Sequence, residues 1–330
     1  MPTSKPPEAI WRRITDLPAG ASTWTTPGYA ERVITWRRVL RRLTDRHTDR
    51  SMLDTWLRER RRWFAIETGL IEGLYTLKRG VTEQLVTEGL EGVRGGHTVE
   101  GLADETIQGL LRSQEEALEV VFGDVRSGRP LTHHTLCAWH QLLTRSQETA
   151  TGITPWGARI EIPLRRGRYK IRPNNPKRPD GVVHEYCPPE QVRSEMDRFL
   201  TMHEGHDGLN LPTEVEAAWL HHRFVRIHPF QDGNGRMARL LLAYVYLRNE
   251  EIPPVVTNEH RDAYIRALEA ADRNDLRPFV DFLGLRAAVS LEAAIGIAED
   301  ALAGRNRLHH PNGGVTRDGV YYRREDAEST

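Results

Sequence analysis

The segment HPFQDGNGRMAR, residues 228–239, holds a histidine, an aspartate, two glycines and two arginines in one short stretch. Each type has its chemistry. His228 can take a proton from a hydroxyl, and it ends a helical run because Pro229 disfavours helical geometry in the residue before it. Gly233 and Gly235 let the backbone approach a ligand closely and allow left-handed dihedrals. Their N–H groups precede a new helix, where unpaired donors and the helix dipole favour an anion. Arg236 and Arg239 lie three apart, so both can lean toward that helix end and pair with further phosphate oxygens. Asp232 offers a hard oxygen to Mg²⁺, a metal that bridges phosphates and is seldom caged by protein alone. Together these groups can bind a polyphosphate and move part of it to a nucleophile. No Walker A pattern and no G-x-G-x-x-G fingerprint accompanies them, which excludes the two commonest phosphate-loop folds.

Two helices meeting at a turn must position this set. TEVEAAWLHHRFVRIH opens with an expected capping box, Thr213 and Glu216, and is apolar almost all round, so it reads as a buried central helix. Beyond the turn, Met237, Leu240, Leu241, Tyr244 and Val245 follow helical spacing. Helical periodicity also runs from Tyr29 to about Gly73, interrupted around TDRHTDRS, and continues in DETIQGLLRSQEEALEVVFGDVRSG and CPPEQVRSEMDRFL. LTHHTLCAWHQLLTR puts Leu136, Trp139, His140 and Leu143 on one helical face. Strand signals lie between Ile153 and Tyr186, where ARIEIPL, GRYKIR and GVVHEY alternate around the turn-rich PNNPKRPDG. A small hairpin is therefore expected in an otherwise helical chain. The first two dozen residues read as a poorly ordered arm, GVRGGHTVEG as a flexible connection, and HHPNGGVTRDGVYYRREDAEST as a tail.

In the 330 residues, 46 Lys and Arg balance 46 Asp and Glu, so no net charge steers the chain to nucleic acid or an acidic membrane. The basic runs WRRVLRR and RERRRWF read as solvated helix faces. Two cysteines, Cys137 and Cys187, are too few for a disulfide framework and read as buried free thiols. No secretory signal or bilayer-spanning run is present, and a cytoplasmic location is expected.

HPFQDGNGRMAR resembles the signature of the Fic family, H-P-F-x-D-G-N-G-R-x-x-R, at every defined position. AAWLHHRFVRIHPF, DAYIRALEAADRNDLRPFVDFL and LCAWHQLL also resemble that family, over roughly Leu131 to Leu285. The resemblance implies an all-α Fic fold, a helical bundle with a small β-hairpin flap. It implies transfer of AMP from ATP to a Ser, Thr or Tyr hydroxyl of a target protein, with Mg²⁺. On that footing His228 is the general base and Asp232 holds the metal. The backbone of Gly233, Asn234 and Gly235, with Arg236, binds phosphates, and Arg239 pairs with the γ-phosphate. The flap docks the target by strand pairing along Gly181, Val182, Val183 and His184. Tyr264 stands where relatives often contact the nucleotide, and Asp272 replaces an Asn that often contacts adenine.

TGLIEG, Thr68 to Gly73, resembles the inhibitory pattern [ST]-x-x-x-E-[GN] of relatives whose inhibitory helix precedes the core. Thr68 and Glu72 are i, i+4 on a helix that Gly73 can end. This makes Glu72 a built-in restraint on AMP addition, or a group that supports AMP removal. The expected organisation is an N-terminal arm and helices over 1–60 and an inhibitory-helix region over 61–130. A Fic core follows over 131–295, with its flap at 153–186, then a helix end and tail over 296–330. No nucleic-acid or membrane partner is expected, and a homodimer is common among relatives. Two alternatives stay open: the same site transferring another phosphate-linked group such as UMP, and a catalytically idle protein-binding module.

Overall fold

Apolar spacing sets where helices form, and most of the chain obeys it. The computed structural model describes residues 10–77, 81–89, 104–154, 158–176, 183–305, 315–317 and 320–322. Among them the order is α1 (Tyr29–Asp45), α2 (Ser51–Ile71), α3 (Val81–Glu88), α4 (Asp104–Arg126), α5 (His133–Leu143), β1 (Thr149–Ile153), β2 (Arg159–Pro163) and α6 (Val192–Gly205). Then come α7 (Thr213–Ile227), α8 (Asn234–Arg248), α9 (Arg261–Asp272), α10 (Arg277–Leu302), β3 (Val315–Arg317) and β4 (Val320–Tyr322). The mostly helical expectation holds. By compactness the chain falls into two units: residues 1–24, 109–249 and 262–280, and residues 25–108, 250–261 and 281–330.

In the first unit α7 packs along α8, with α6 on α7 and α5 on α8. Trp139, Trp219, Phe199, Phe224, Phe230 and Phe279 are fully buried there. Each such aromatic contributes ~1.5–3 kcal/mol relative to exposure. The faces foreseen on α5 (Leu136, Trp139, His140, Leu143) and α8 (Met237, Leu240, Leu241, Tyr244, Val245) are buried as expected. The Thr213–Glu216 capping box does not form. Pro212 takes the N-cap position with no side-chain cap, and the Glu216 carboxylate instead faces His203.

The hairpin is real, and its second strand falls in the expected ARIEIPL, but its first strand, TATGI, was not foreseen. β1 pairs antiparallel with β2, Gly152 opposite Ile160. GRYKIR is not a strand, because the Lys170 backbone N–H is given to the Pro229 carbonyl at 2.8 Å. The arm is also better anchored than its composition suggested. Ile14 N–H donates to the buried Glu195 carboxylate (3.1 Å), while Trp219 Nε1 (3.1 Å) and Arg223 Nε (2.9 Å) both donate to the Thr15 carbonyl. Cys187 is buried, whereas Cys137 is only half-buried.

The second unit is built on α1, α2 and α3. Most of the arginines in the basic run of α1 are exposed as expected, but Arg60 of α2 is buried. Its guanidinium bonds Ser290 and lies 5.4 Å from the Trp56 ring centre. α2 ends in a Schellman motif: Gly73 N–H donates to Leu70 O (3.0 Å) and Leu74 N–H to Gly69 O (3.1 Å), with Gly73 at φ +65°. Tyr75 fills the space a side chain at Gly69 would need, and its hydroxyl donates to the Ile66 carbonyl at 3.0 Å. Thr68 is buried in α2, and Glu72 is its exposed C-cap. The expected C-terminal tail carries a short hairpin, β3 with β4.

Candidate active site

α7 stops at His228, whose φ of 53° and ψ of 58° are left-handed, an uncommon conformation for a residue with a Cβ. Its ring is fixed on two sides. Nδ1 lies 3.2 Å from the Val225 carbonyl, which can only accept, so Nδ1 carries the proton and Nε2 keeps the lone pair. Tyr186 stacks on the ring at 3.7 Å between centroids and 7° between planes. Burial, then the nearby Lys170 ammonium, holds the His228 pKa well below its usual 6.5. A neutral imidazole with Nε2 unprotonated is the form a general base requires.

The turn after α7 is held by its backbone oxygens. Lys170 Nζ donates to Asn174 Oδ1 (2.9 Å), and Asn174 Nδ2 donates to the carbonyls of Phe230 (2.9 Å) and Gln231 (3.0 Å). Burial brings the Lys170 pKa down to about 7. Asn234 closes the turn from inside, accepting from Phe230 N–H (2.9 Å) and donating to Phe230 O (2.8 Å). His140 braces it from α5. Its Nδ1 accepts from Gly167 N–H (2.9 Å), so Nε2 donates to the Asp232 carbonyl (3.0 Å), while the ring stacks on Phe230 at 3.8 Å. Burial lowers the His140 pKa to about 4, so it serves as a neutral strut.

The turn presents a carboxylate beside a helix N-terminus. Gly233 has φ +77°, and a Cβ there would meet Thr144 Cγ2 at 3.1 Å. Gly235 does not take the left-handed conformation expected of it, since it lies in the first turn of α8. The helical ladder begins with Met237 N–H to Gly233 O at 2.9 Å, so the N–H groups of Asn234, Gly235 and Arg236 stand ahead of it. Asp232 Oδ1 accepts from Gly233 N–H at 2.6 Å, and Oδ2 accepts from Gln147 Nε2. Gln147 Oε1 in turn accepts from Arg236 Nη2 at 2.7 Å. One amide thus orients both the carboxylate and the guanidinium. The Asp232 side chain is 42% exposed, and each oxygen keeps acceptor capacity, which suits a hard cation held by one carboxylate and a polyphosphate.

Arg239 is buried, and its Nη1 lies 3.4 Å from the Tyr264 hydroxyl. That hydroxyl bonds His221 Nε2 at 2.9 Å, and burial keeps His221 neutral. Tyr264, expected beside the nucleotide, is buried and braces Arg239. Asp272 Oδ1 is held by His222 Nε2 (3.0 Å) and lies 3.6 Å from Arg226. Burial opposes its charge, but the His222 hydrogen bond and the Arg226 guanidinium outweigh it and keep the carboxyl below its usual range. Of the flap residues, Gly181 and Val182 lie outside the described residues. His184 bonds Arg226 Nη1 at 3.2 Å and its N–H reaches Pro176 O at 3.0 Å. Thr68, Glu72 and Gly73 belong to the second unit.

Sequence reading missed Gln147, Lys170, Asn174 and Tyr186, which bear on the site from segments outside the motif. His140 was visible only as a titratable ring on an otherwise apolar face.

Residues 130–246 match the model of the Fic/DOC family. Protein adenylyltransferase fic-1 of Caenorhabditis elegans is 34% identical over 108 residues, 33% of this chain and 21% of that protein. Protein adenylyltransferase Fic of Aedes aegypti is 43% identical over 67 residues, 20% of this chain and 13% of that protein. The alignments thus span about a fifth or less of these relatives. A Fic domain containing signaling protein from Bacteroides thetaiotaomicron superposes with a TM-score of 0.67 at 24% identity, covering 84% of this chain and 98% of its own. C. elegans Fic-1 superposes with a TM-score of 0.58 at 22% identity, over 82% and 74% of the two chains. These likenesses establish a shared fold.

Proposed function

We propose, on the premise that this chain carries a Fic/DOC family domain over residues 130–246, that it transfers AMP from ATP to a Ser, Thr or Tyr hydroxyl of a target protein. The observation that carries this reading is the state of His228. With Nδ1 committed to Val225 O, the ring has one lone pair left, on Nε2, beside a turn that ends in a helix N-terminus.

In this reading the triphosphate lies against the N–H groups of Asn234, Gly235 and Arg236, with the Arg236 guanidinium adding charge. Arg239, held by Tyr264, meets the γ-phosphate. His228 Nε2 takes the target hydroxyl proton as that oxygen bonds to the α-phosphorus. The bond from the α-phosphorus to the bridging oxygen breaks, and pyrophosphate leaves with the electron pair. Asp232 would hold Mg²⁺, which when bound neutralises charge on the departing pyrophosphate. Val183 and His184 would align the target segment. Glu72 would restrain the reaction in the resting protein.

The test is incubation of the chain with a lysate and either α-labelled or γ-labelled ATP. Transfer of the α-label alone, lost in His228→Ala, is the expected result. Incorporation of the γ-label would mean phosphoryl transfer instead. Preferential labelling from UTP would assign the site to UMP, and no labelling by the Glu72→Gly variant would leave a binding module.

A further inference from the structure

Two histidines and a glutamate outside the catalytic segment gather where α6 ends and α7 begins. His203 and His206 are i, i+3 at the close of α6, and Glu216 sits in the first turn of α7. One ligand atom from each of the three lies within 4.8 Å of the others, and both imidazoles are buried.

The hydrogen bonding around His206 decides what its ring can do. Nε2 lies 2.8 Å from Asp16 Oδ1, and a carboxylate only accepts, so Nε2 carries the proton. Nδ1 is then a lone pair, and it is buried with no hydrogen-bond partner among the described residues. A carboxylate behind one ring nitrogen with the other left unprotonated is the usual support of a metal-bound histidine. His203 adds a second orphan. Its Nδ1 comes within 3.0 Å of Glu216 Oε1 but out of line for a hydrogen bond, so it is buried and unsatisfied, and with Arg248 donating to Nε2 it carries the proton that an ion would displace. Two such orphans in one cluster are costly unless something fills the space between them. Trp219 and Tyr244 wall the rings with apolar surface, and His203 also borders a cavity of about 360 Å³ through which an ion can arrive.

We propose that His203, His206 and Glu216 form a divalent metal site, fitted to Zn²⁺, that clips the end of α6 to the start of α7. Two neutral imidazoles and one carboxylate match the donor preference of zinc, with a fourth position left for water. The Glu216 and Asp16 carboxylates balance the charge of the ion. Arg248, 3.4 Å from His203 Nε2, has Asp207 as its own partner at 3.0 Å and can yield that nitrogen to a proton when the metal takes Nδ1. The site lies apart from Asp232, and its role is to fix the helix that carries His228.

The experiment is titration of chelator-treated protein with Zn²⁺ by calorimetry, and with Co²⁺ by visible absorption, on wild type and three variants. Wild type should take up one equivalent of Zn²⁺ with a rise in unfolding temperature. Co²⁺ should give the intense visible bands of a four-coordinate site. Glu216→Gln, close in shape, should weaken binding by about 100-fold. Asp16→Asn, which spares the ligands, should weaken it by about 10–100-fold. His206→Gln should abolish the Co²⁺ spectrum. No saturable uptake by wild type, or uptake and spectrum unchanged in Glu216→Gln and His206→Gln, overturns the proposal.

Discussion

Tyr186 lies flat on His228, ring centres 3.7 Å apart and planes within 7°. A residue of the segment leading into α6 therefore sets the attitude of the proposed base, and Lys170 sits 5.8 Å over the same tyrosine ring. Tyr186→Ala should let the imidazole rotate away from its Val225 bond. AMP transfer should fall by about 10–100-fold, in kcat more than in the KM for ATP, because misplacement of a reacting group is felt mainly at the transition state. Steady-state kinetics with ATP and a modified target checks this.

The acid limb of transfer should lie below pH 6.5. His228 has its pKa lowered, first by burial and then by Lys170, so it is already neutral across the neutral range. Activity should therefore be flat near pH 7 and fall only as the medium becomes acidic enough to protonate Nε2. Lys170→Met removes one cause of the lowering, and the limb should move up in pH. A pH–rate profile of kcat/KM for both proteins is the measurement, and a limb unmoved by the substitution counts against Lys170 as the cause.

Gln147 joins Asp232 to Arg236 through one amide, so its loss should release both. Gln147→Leu should weaken divalent-dependent ATP binding and transfer together, by about tenfold, with little change in unfolding temperature. Calorimetric titration of ATP with and without EDTA resolves the two parts. Gly233→Ala should do more damage, because it places a Cβ 3.1 Å from Thr144 Cγ2 at a φ of +77°.

Stability should decline on acidification. His140 and His222 are buried and each is lowered to about pKa 4 from 6.5, so the unfolded chain binds protons that the folded one refuses. Their contribution is fully present above pH 6.5 and is lost as pH falls from 6.5 toward 4, at about 3 kcal/mol for each group. Denaturant midpoints measured from pH 7.5 to 4.5 should fall over that window, and His140→Gln should flatten part of the slope.

Glu72→Gly should raise label incorporation above that of the wild-type chain, on lysate proteins or on itself, while Glu72→Gly with His228→Ala should remain silent. The rest of TGLIEG has local duties: Gly73 ends α2 at a left-handed φ, and Gly69 makes room for Tyr75. Glu72 is the exposed C-cap, so its removal should cost little stability. A folded Glu72→Gly protein no more active than its parent reduces the motif to a helix terminator.

The helices were legible because their apolar residues follow a 3.6-residue period, as on α5 and α8, and the turn after α7 was legible because its parts are contiguous. What supports that turn was not. His140, Gln147, Lys170, Asn174 and Tyr186 come from α5 to the approach to α6, and no spacing links them to Asp232 or His228. Alternation in GRYKIR mimics a strand, but the Pro229 carbonyl claims the Lys170 N–H. The hairpin's first strand, TATGI, alternates its three β-branched residues with only an alanine and a glycine, too weak a pattern to mark it. Pro212 displaced the capping box by occupying the N-cap itself.

The anchoring of Ile14 and Thr15 bears on how this chain is made. These residues leave the ribosome before the groups that bind them, since Glu195, Trp219 and Arg223 lie 181–208 positions later. The segment must wait, unpaired, until α6 and α7 have been synthesised. Until then Glu195, the Trp219 indole and the Arg223 guanidinium lack the backbone groups that satisfy them in the folded state. Closing so long a loop is entropically slow, and contacts of that separation form late. Docking of residues 13–16 thus becomes the step that seals the helix pair bearing His228.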